Sequence, residues 1–245
     1  MSFSEAEVER YARHLVLREV GGPGQQKLKA ARVLVVGAGG LGAPAALYLA
    51  AAGVGTIGLV DPDTVSLSNL QRQVLYATAD VGRSKVEAAS DHLRALNPNM
   101  TVESHPVWLD RSNAETVVSG YDFVLDGTDD FATRFAVSDA CVAQGKALVS
   151  GALGRWTGQV GVFQGQPCYR CLVPEIPPDA ETCALVGVVG ALAGVIGSMM
   201  ALETVKLITG AGEPLSGRLL IYDALAGETR TVRIGRDPQC PSCGA

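Results

Sequence analysis

The sequence is poor in aromatic residues, and it lacks both a positive charge balance and any long basic run. Phenylalanine, tyrosine and tryptophan make up 5% of its 245 residues, and the formal net charge is −5, with a sequence pI of about 5.2. The missing basic patch argues against a nucleic-acid scaffold, whose electrostatic footprint it would be. The opening, Met1-Ser2-Phe3-Ser4-Glu5-Ala6-Glu7, is acidic and polar and lacks the features of a secretion signal. A cytoplasmic protein is therefore expected. Thiols stay reduced there, so the six cysteines need a role other than disulfides. There is no tandem repeat and no low-complexity linker. One uncharged segment, the 19 residues from Ala184 to Leu202, is long enough to be taken for a membrane span. Gly187, Gly190, Gly194 and Gly197 allow close packing, and Glu203 and Lys206 follow at once, so a buried helix is expected instead and no membrane partner.

What is abundant is apolar and small: 47% of residues are hydrophobic and 29 are glycine. That suffices for a full core and fits one large α/β domain, alone or with a small appendage. Ser4 and Glu7 have capping-box spacing, so a helix is expected from there to about Arg18, broken by Gly21-Gly22-Pro23-Gly24. Val33 to Val36 reads as a buried parallel strand, and an alanine-rich helix follows to about Ala52. Thr56 to Val60 is a second strand, ending at Asp61, which completes a βαβ unit. A helix from Ser84 to Leu96 and strands at Thr101 to His105, Phe123 to Leu125 and Ala147 to Ser150 continue the alternation. The pattern predicts a doubly wound parallel sheet. Further on, Gln159 to Phe163, Arg218 to Tyr222 and Thr229 to Ile234 read as strands closer to hairpin spacing, with a long apolar helix from about Val186 to Ile208 among them. One unit of two intimately joined halves is expected.

Gly37-Ala38-Gly39-Gly40-Leu41-Gly42 fits G-x-G-x-x-G at a strand-to-helix turn, with Gly37, Gly39 and Gly42 in the motif positions. There the backbone can approach a phosphate, and the helix start offers free N–H groups and positive partial charge. Asp61, 19 residues after Gly42, is placed to bond a ribose hydroxyl. Taken alone, this loop favours a dinucleotide cofactor such as NAD. Downstream, Ser68-Asn69-Leu70-Gln71-Arg72-Gln73, Lys85 at a helix start and Asp126-Gly127-Thr128-Asp129-Asp130 after a strand all fall where strand-end loops converge over a ligand crevice. Asn, Arg, Lys and Asp around a glycine loop suit a triphosphate with Mg²⁺, and a hydride-transfer site would not need them. Individually, Arg72 and Lys85 would read as solvated charges; their co-location carries the inference.

Cys168-x-x-Cys171 and Cys240-x-x-Cys243 are two knuckles whose four thiolates would close a tetrahedral Zn²⁺ site, pinning the C-terminal tail to the chain before the long helix. Cys141 lies in an expected helix and reads as a buried hydrophobe. Cys183 follows a proline-rich loop and precedes the long helix, a position that lowers a thiol pKa.

Together the glycine loop, the string Ser68 to Gln73, Lys85, Thr128-Asp129, both knuckles and Thr182-Cys183 resemble, in this order, the MoeB/ThiF/HesA family, which is related to the catalytic domain of ubiquitin-activating enzymes. The resemblance covers nearly the whole chain. It implies a Rossmann-like sheet extended by antiparallel strands, a homodimer, and ATP- and Mg²⁺-dependent adenylylation of a small β-grasp sulfur-carrier protein ending in Gly-Gly, ahead of thiocarboxylate formation. It further implies Gly37, Gly39, Gly40 and Gly42 at the nucleotide, Asp61 on the ribose, Asn69, Arg72 and Lys85 on the phosphates and Asp129 on Mg²⁺. Arg13 would be supplied across the dimer, and Cys183 is the family's loop cysteine. Two positions depart from the family pattern: Asp130 stands where Asn is frequent, and His14 where Gln is. With no rhodanese-like extension after the core, a separate sulfur donor is expected. The chain is read as one adenylylating domain, with an N-terminal helix and break over 1–24, a nucleotide-binding half over 25–165 and a zinc-stapled, carrier-binding half over 166–245. A tRNA-threonylcarbamoyl dehydratase-type enzyme and an NAD-dependent oxidoreductase are the rival readings.

Overall fold

Strand β1 (Arg32–Val36) lies between β2 (Thr56–Val60) and β4 (Phe123–Asp126), with β3 (Thr101–His105) beyond β2 and β5 (Ala147–Leu153) beyond β4. All four of these pairings are parallel. Strands β6 (Thr157–Phe163), β7 (Arg218–Asp223) and β8 (Glu228–Arg233) continue the same sheet antiparallel, giving the order β3-β2-β1-β4-β5-β6-β7-β8. The structure is a computed structural model that describes residues 3–176 and 187–244. Before β1 come α1 (Glu5–Arg10), α2 (Ala12–Leu15) and α3 (Gly21–Ala30); α4 (Gly42–Ala52) joins β1 to β2, and α5 (Lys85–Leu96) precedes β3. Helices α6 (Ala114–Ser119) and α7 (Phe131–Ala143) flank β4, α8 (Tyr169–Leu172) follows β6, and α9 (Gly190–Thr209) precedes β7.

Successive side chains of a strand point to opposite faces of the sheet, and here each face has its own core. Val33 and Val35 of β1 join Leu49 of α4, Leu93 of α5 and Ile196 and Met200 of α9 on one side. Leu34 and Val36 join Val118 of α6 and Phe135 and Cys141 of α7 on the other. The apolar run Val33 to Val36 is thus explained by burial on both faces. The expected strands and the alternation were legible; β5 and β6 run two or three residues longer than their apolar cores because they pair with each other antiparallel from Leu148↔Phe163 to Leu153↔Gly158.

The N-terminal expectation needs correction. Ser4 and Glu7 do form the capping box, but the helix ends at Arg10, resumes at Ala12 and stops at Leu15. Gly21-Gly22-Pro23-Gly24 is not a break: it is the first turn of α3. The first N–H groups of a helix have no intrahelical partner, so a proline there forfeits no hydrogen bond. This segment is fastened to its own chain. Glu7 pairs with Lys29 at 2.6 Å, Tyr11 accepts a bond from Asn97 Nδ2 at 2.9 Å and His14 meets Gln25 Oε1 at 2.9 Å.

Helix α9 is long and apolar enough to cross a membrane by length and composition, yet it packs along α4, β5 and β6. Leu192, Ile196 and Met200 are fully buried, each worth about 1.5–3 kcal/mol. Gly197 allows a close approach: an added Cβ would stand 2.5 Å from the Leu41 carbonyl oxygen and from Pro44. Glu203 is buried, where it accepts the Leu215 N–H at 2.8 Å and pairs with Lys206.

Candidate active site

The strand order reverses between β1 and β4, and ligands of open α/β sheets bind in the crevice outside the strand ends at that switch point. A crevice of about 350 Å³ opens there, lined by Gly37, Gly39, Gly40, Asp61, Asn69, Arg72, Lys85 and Asp129. The glycine loop after β1, the connection from β2 to α5 and the loop after β4 therefore meet at one crevice. Gly37 adopts φ 87°, and a Cβ there would stand 3.2 Å from the backbone of Gly127 and Thr128, so this turn admits only glycine. Gly42 does not line the crevice; a Cβ on it would collide with the Gly37 carbonyl, so its task is to let α4 start against the loop.

Asp61 is buried at the end of β2. Its carboxylate accepts the Ala38 and Asp63 N–H groups, both at 2.9 Å. Burial pushes its pKa up, and the Lys85 charge and the two N–H donors pull against that without prevailing. Lys85, the first residue of α5, is also buried; its Nζ stands 3.6 Å from Asp61 Oδ1 and 2.8 Å from Asp63 Oδ2. Asn69 closes a 3₁₀ turn, Leu67–Asn69, and accepts the Ser66 N–H at 3.1 Å. Arg72 donates to the Ser68 carbonyl at 3.1 Å. Asp129 is exposed at the crevice, and its carboxylate has no hydrogen bond or ion pair among the described residues. Asp130 caps α7 by accepting the Thr133 N–H at 2.7 Å. Asp and Asn cap equally well, so this departure is local.

Arg13 is exposed on α2 and is not among the residues lining the crevice of its own chain. Cys183 lies outside the described residues. Sequence reasoning missed several lining residues. Asp63 had a signal, its place two residues after Asp61 at a strand end. Gln73 lies in the quoted string but had no role; it is buried with Oε1 unpartnered. Trp108, Arg134 and Tyr169 gave no signal, since an arginine within a helix reads as a surface charge.

Away from the crevice, Cys168, Cys171, Cys240 and Cys243 converge, with their sulfur atoms all within 4.8 Å of one another. Cys168–Cys240 and Cys171–Cys243 are each 3.5 Å apart. Cys171 Sγ also accepts the Asp237 N–H at 3.5 Å. Burial pushes the Cys168 thiol up, whereas at Cys240 burial is outweighed by N–H donors from Cys243 and Ser242, which hold it at about 7. The cluster can hold a metal ion, and it ties the chain after β8 to the segment after β6. Cys141 is buried in α7, where desolvation raises its pKa to about 12.

Fold and site define a Rossmann-like α/β domain with an antiparallel extension and an anion-ready crevice. Residues 11–242 match the ThiF family, and the chain belongs to it. It is 49% identical to the sulfur carrier protein adenylyltransferase of Thermus thermophilus over 100% of this chain and 93% of that one. It is 52% identical to the probable adenylyltransferase/sulfurtransferase MoeZ of Mycobacterium tuberculosis over 98% of this chain but only 63% of that protein's length. Among solved structures, E. coli MccB with ATP superposes with a TM-score of 0.81 at 25% identity, covering 96% of this chain and 74% of that one.

Proposed function

We propose that this protein adenylylates the C-terminal glycine carboxylate of a small ubiquitin-like sulfur-carrier protein with ATP, releasing pyrophosphate, in preparation for thiocarboxylate formation. The observation that carries it is the meeting of the glycine loop, Asp61, Asn69, Arg72, Lys85 and Asp129 in one crevice of a ThiF-family chain. The reading is supported by the relative of similar length whose name states that activity.

The chemistry sets the demands on these residues. A carboxylate must reach the α-phosphorus of a polyanion that repels it, so fixed cations must neutralise charge and hold the atoms in line. Asp61 accepts from the ribose hydroxyls, and the glycine loop with the α4 N-terminus receives phosphate oxygens. Asn69 donates its amide, and Arg72 and Lys85 face the phosphates. Lys85 is already oriented by Asp61 and Asp63 on one side, so the nucleotide meets it without a search through rotamers. Arg13 comes from the second subunit of a homodimer. Asp129 is a free, hard oxygen donor beside the phosphate-binding loop, a fit for Mg²⁺, which binds through one or two carboxylates plus substrate phosphates. Bound there, Mg²⁺ supplies charge neutralisation on the transferring phosphate.

The four cysteines fit Zn²⁺. Tetrahedral Zn–S bonds of about 2.3 Å place sulfurs about 3.8 Å apart, close to the spacing of the cluster. Its role is structural, pinning the C-terminal tail to the segment after β6 inside the carrier-binding half, 166–245, which with the nucleotide-binding half, 25–165, makes one domain. A reducing cytoplasm keeps these thiols available. An NAD-dependent oxidoreductase leaves Arg72, Lys85 and Asp129 without tasks, and a threonylcarbamoyl dehydratase leaves the cysteine cluster without one.

ATP–pyrophosphate exchange tests the assignment. Exchange should appear only with a carrier bearing a free C-terminal Gly-Gly and vanish when those glycines are deleted. Equal exchange without any carrier sinks it.

A further inference from the structure

Arg134 is a charged residue with 5% of its surface exposed, yet it lines the crevice and has no part in the phosphate chemistry above. Its guanidinium is held on nearly every side. Nη1 donates to Ser150 Oγ at 3.0 Å and stands 3.2 Å from Asp126 Oδ2. Nη2 donates to the Gly151 carbonyl at 2.6 Å and to the Thr128 carbonyl. The ring of Tyr169 lies 5.8 Å away, facing the guanidinium. Asp126 in turn accepts the Thr128 N–H at 3.1 Å and Oγ1–H at 2.9 Å, and Ser150 donates to Asp126 at 2.9 Å.

The Thr128 carbonyl belongs to the peptide that leads into Asp129. Gripping that carbonyl fixes the peptide plane and, with it, the direction in which the Cα–Cβ bond of Asp129 leaves the backbone. The carboxylate of Asp129 has no hydrogen bond or ion pair of its own among the described residues, and the Arg134 charge that grips its peptide also attracts it. A buried charge of this kind is costly to keep in an apolar interior. Its partners join β4, β5 and the loop before α7, all at the crevice, where shape matters for chemistry.

We infer that Arg134 is a positioning residue: by clamping the Thr128–Asp129 peptide to β5, it aims the Asp129 carboxylate at the Mg²⁺ that accompanies the triphosphate. This rests on the proposed assignment of Asp129 to the metal. Lysine in place of Arg134 keeps the charge but cannot reach Thr128, Gly151 and Ser150 with one planar fork. Residues that orient metal ligands typically change metal affinity by about 10–100-fold when replaced.

The test is nucleotide binding by calorimetry to the whole protein, with ATP, titrated with Mg²⁺ and repeated in EDTA. Arg134→Lys should raise the Mg²⁺ concentration for half-maximal tightening by about 10–100-fold and leave binding in EDTA unchanged. Excess Mg²⁺ should restore its pyrophosphate exchange. Ser150→Ala, which loosens the clamp while keeping the charge pair, should shift the Mg²⁺ requirement the same way by less; it carries the test should the lysine variant fail to fold. A folded Arg134→Lys protein with a wild-type Mg²⁺ requirement overturns the inference, as does an equal loss of binding with and without Mg²⁺, the mark of a merely structural arginine. Wild-type protein whose ATP binding ignores Mg²⁺, or that binds no ATP, refutes the underlying assignment instead, and the inference falls with it.

Discussion

The ammonium of Lys85 lies 2.8 Å from the carboxylate of Asp63, which is itself largely exposed while Lys85 is buried. The pair faces the crevice from the start of α5, and Asp61 is the second anion within reach of the same nitrogen at 3.6 Å. Lys85 is thus a buried cation held between two acids, one of which must share it when a polyanion arrives.

Replacing Lys85 by alanine should lower pyrophosphate exchange by about 10²–10³-fold, the usual cost of losing one preorganised donor to a developing charge. It should also raise the Asp61 pKa further, since the charge opposing its burial is gone. Exchange rates at saturating ATP measure the first; the second appears as a pH dependence of ATP binding that moves upward. A folded Lys85→Ala protein with wild-type exchange would exclude Lys85 from the chemistry.

Purified protein should contain about one Zn²⁺ per chain. Cys240→Ser should lower the melting temperature more than it lowers the exchange rate of the protein that remains folded, because a structural metal contributes folding free energy. Elemental analysis with thermal denaturation decides. Four freely titratable thiols after metal-replete expression would rule the metal out.

Arg13 is outside its own crevice, and its helix is fastened to its own chain by Glu7, Tyr11 and His14. Arg13→Ala and Asp129→Ala homodimers should each be nearly inactive, since an arginine supplied in trans is worth roughly 10³–10⁵ in rate. After subunit exchange, about half the dimers are mixed and each has one intact site, so about a quarter of wild-type activity should return. Verified exchange with no recovery rejects the trans assignment.

Asp80 is pushed from 3.8 down to about 2 by the Ala77 N–H, His92 and Arg83. A lowered carboxylate pKa stabilises the fold above the unfolded value and loses that contribution as pH falls through the folded one. Acid unfolding between about pH 4 and 2 should therefore be shallower in Asp80→Asn than in wild type. Identical acid limbs would show that the turn before α5 does not depend on this carboxylate.

Cys183→Ala should retain pyrophosphate exchange, because the adenylylation chemistry is assigned to the crevice residues. A folded variant without exchange would mean that the thiol serves the first step.

The parallel half of the fold was legible because apolar runs there are bounded by glycine, asparagine and aspartate, and burial on both faces leaves no ambiguity of period. The N-terminal break was misread because glycine and proline mark helix starts as well as ends, and the sequence alone does not say which. In the site, residues on strand-end loops announced themselves, as at Asp61 and Asp129. Arg134 and Tyr169 did not, since their partners, Asp126, Ser150 and the Thr128 carbonyl, are brought to them only by the pairing of β4 with β5.

Gly194 and Gly197 stand on the same helix, one turn apart, and the structure gives them opposite tolerances. A methyl group at 197 would press on the Leu41 carbonyl and Pro44, whereas one at 194 meets nothing within 4 Å among the described residues. Beside Gly194, Val195 and Leu202 are 39% and 60% exposed, an apolar strip of the kind that a second subunit covers. Alanine at 194 is therefore a reporter of assembly. In an open face it gains about 0.5–1 kcal/mol from helix propensity, and against a closely packed neighbour it loses stability in a way that deepens as protein concentration rises.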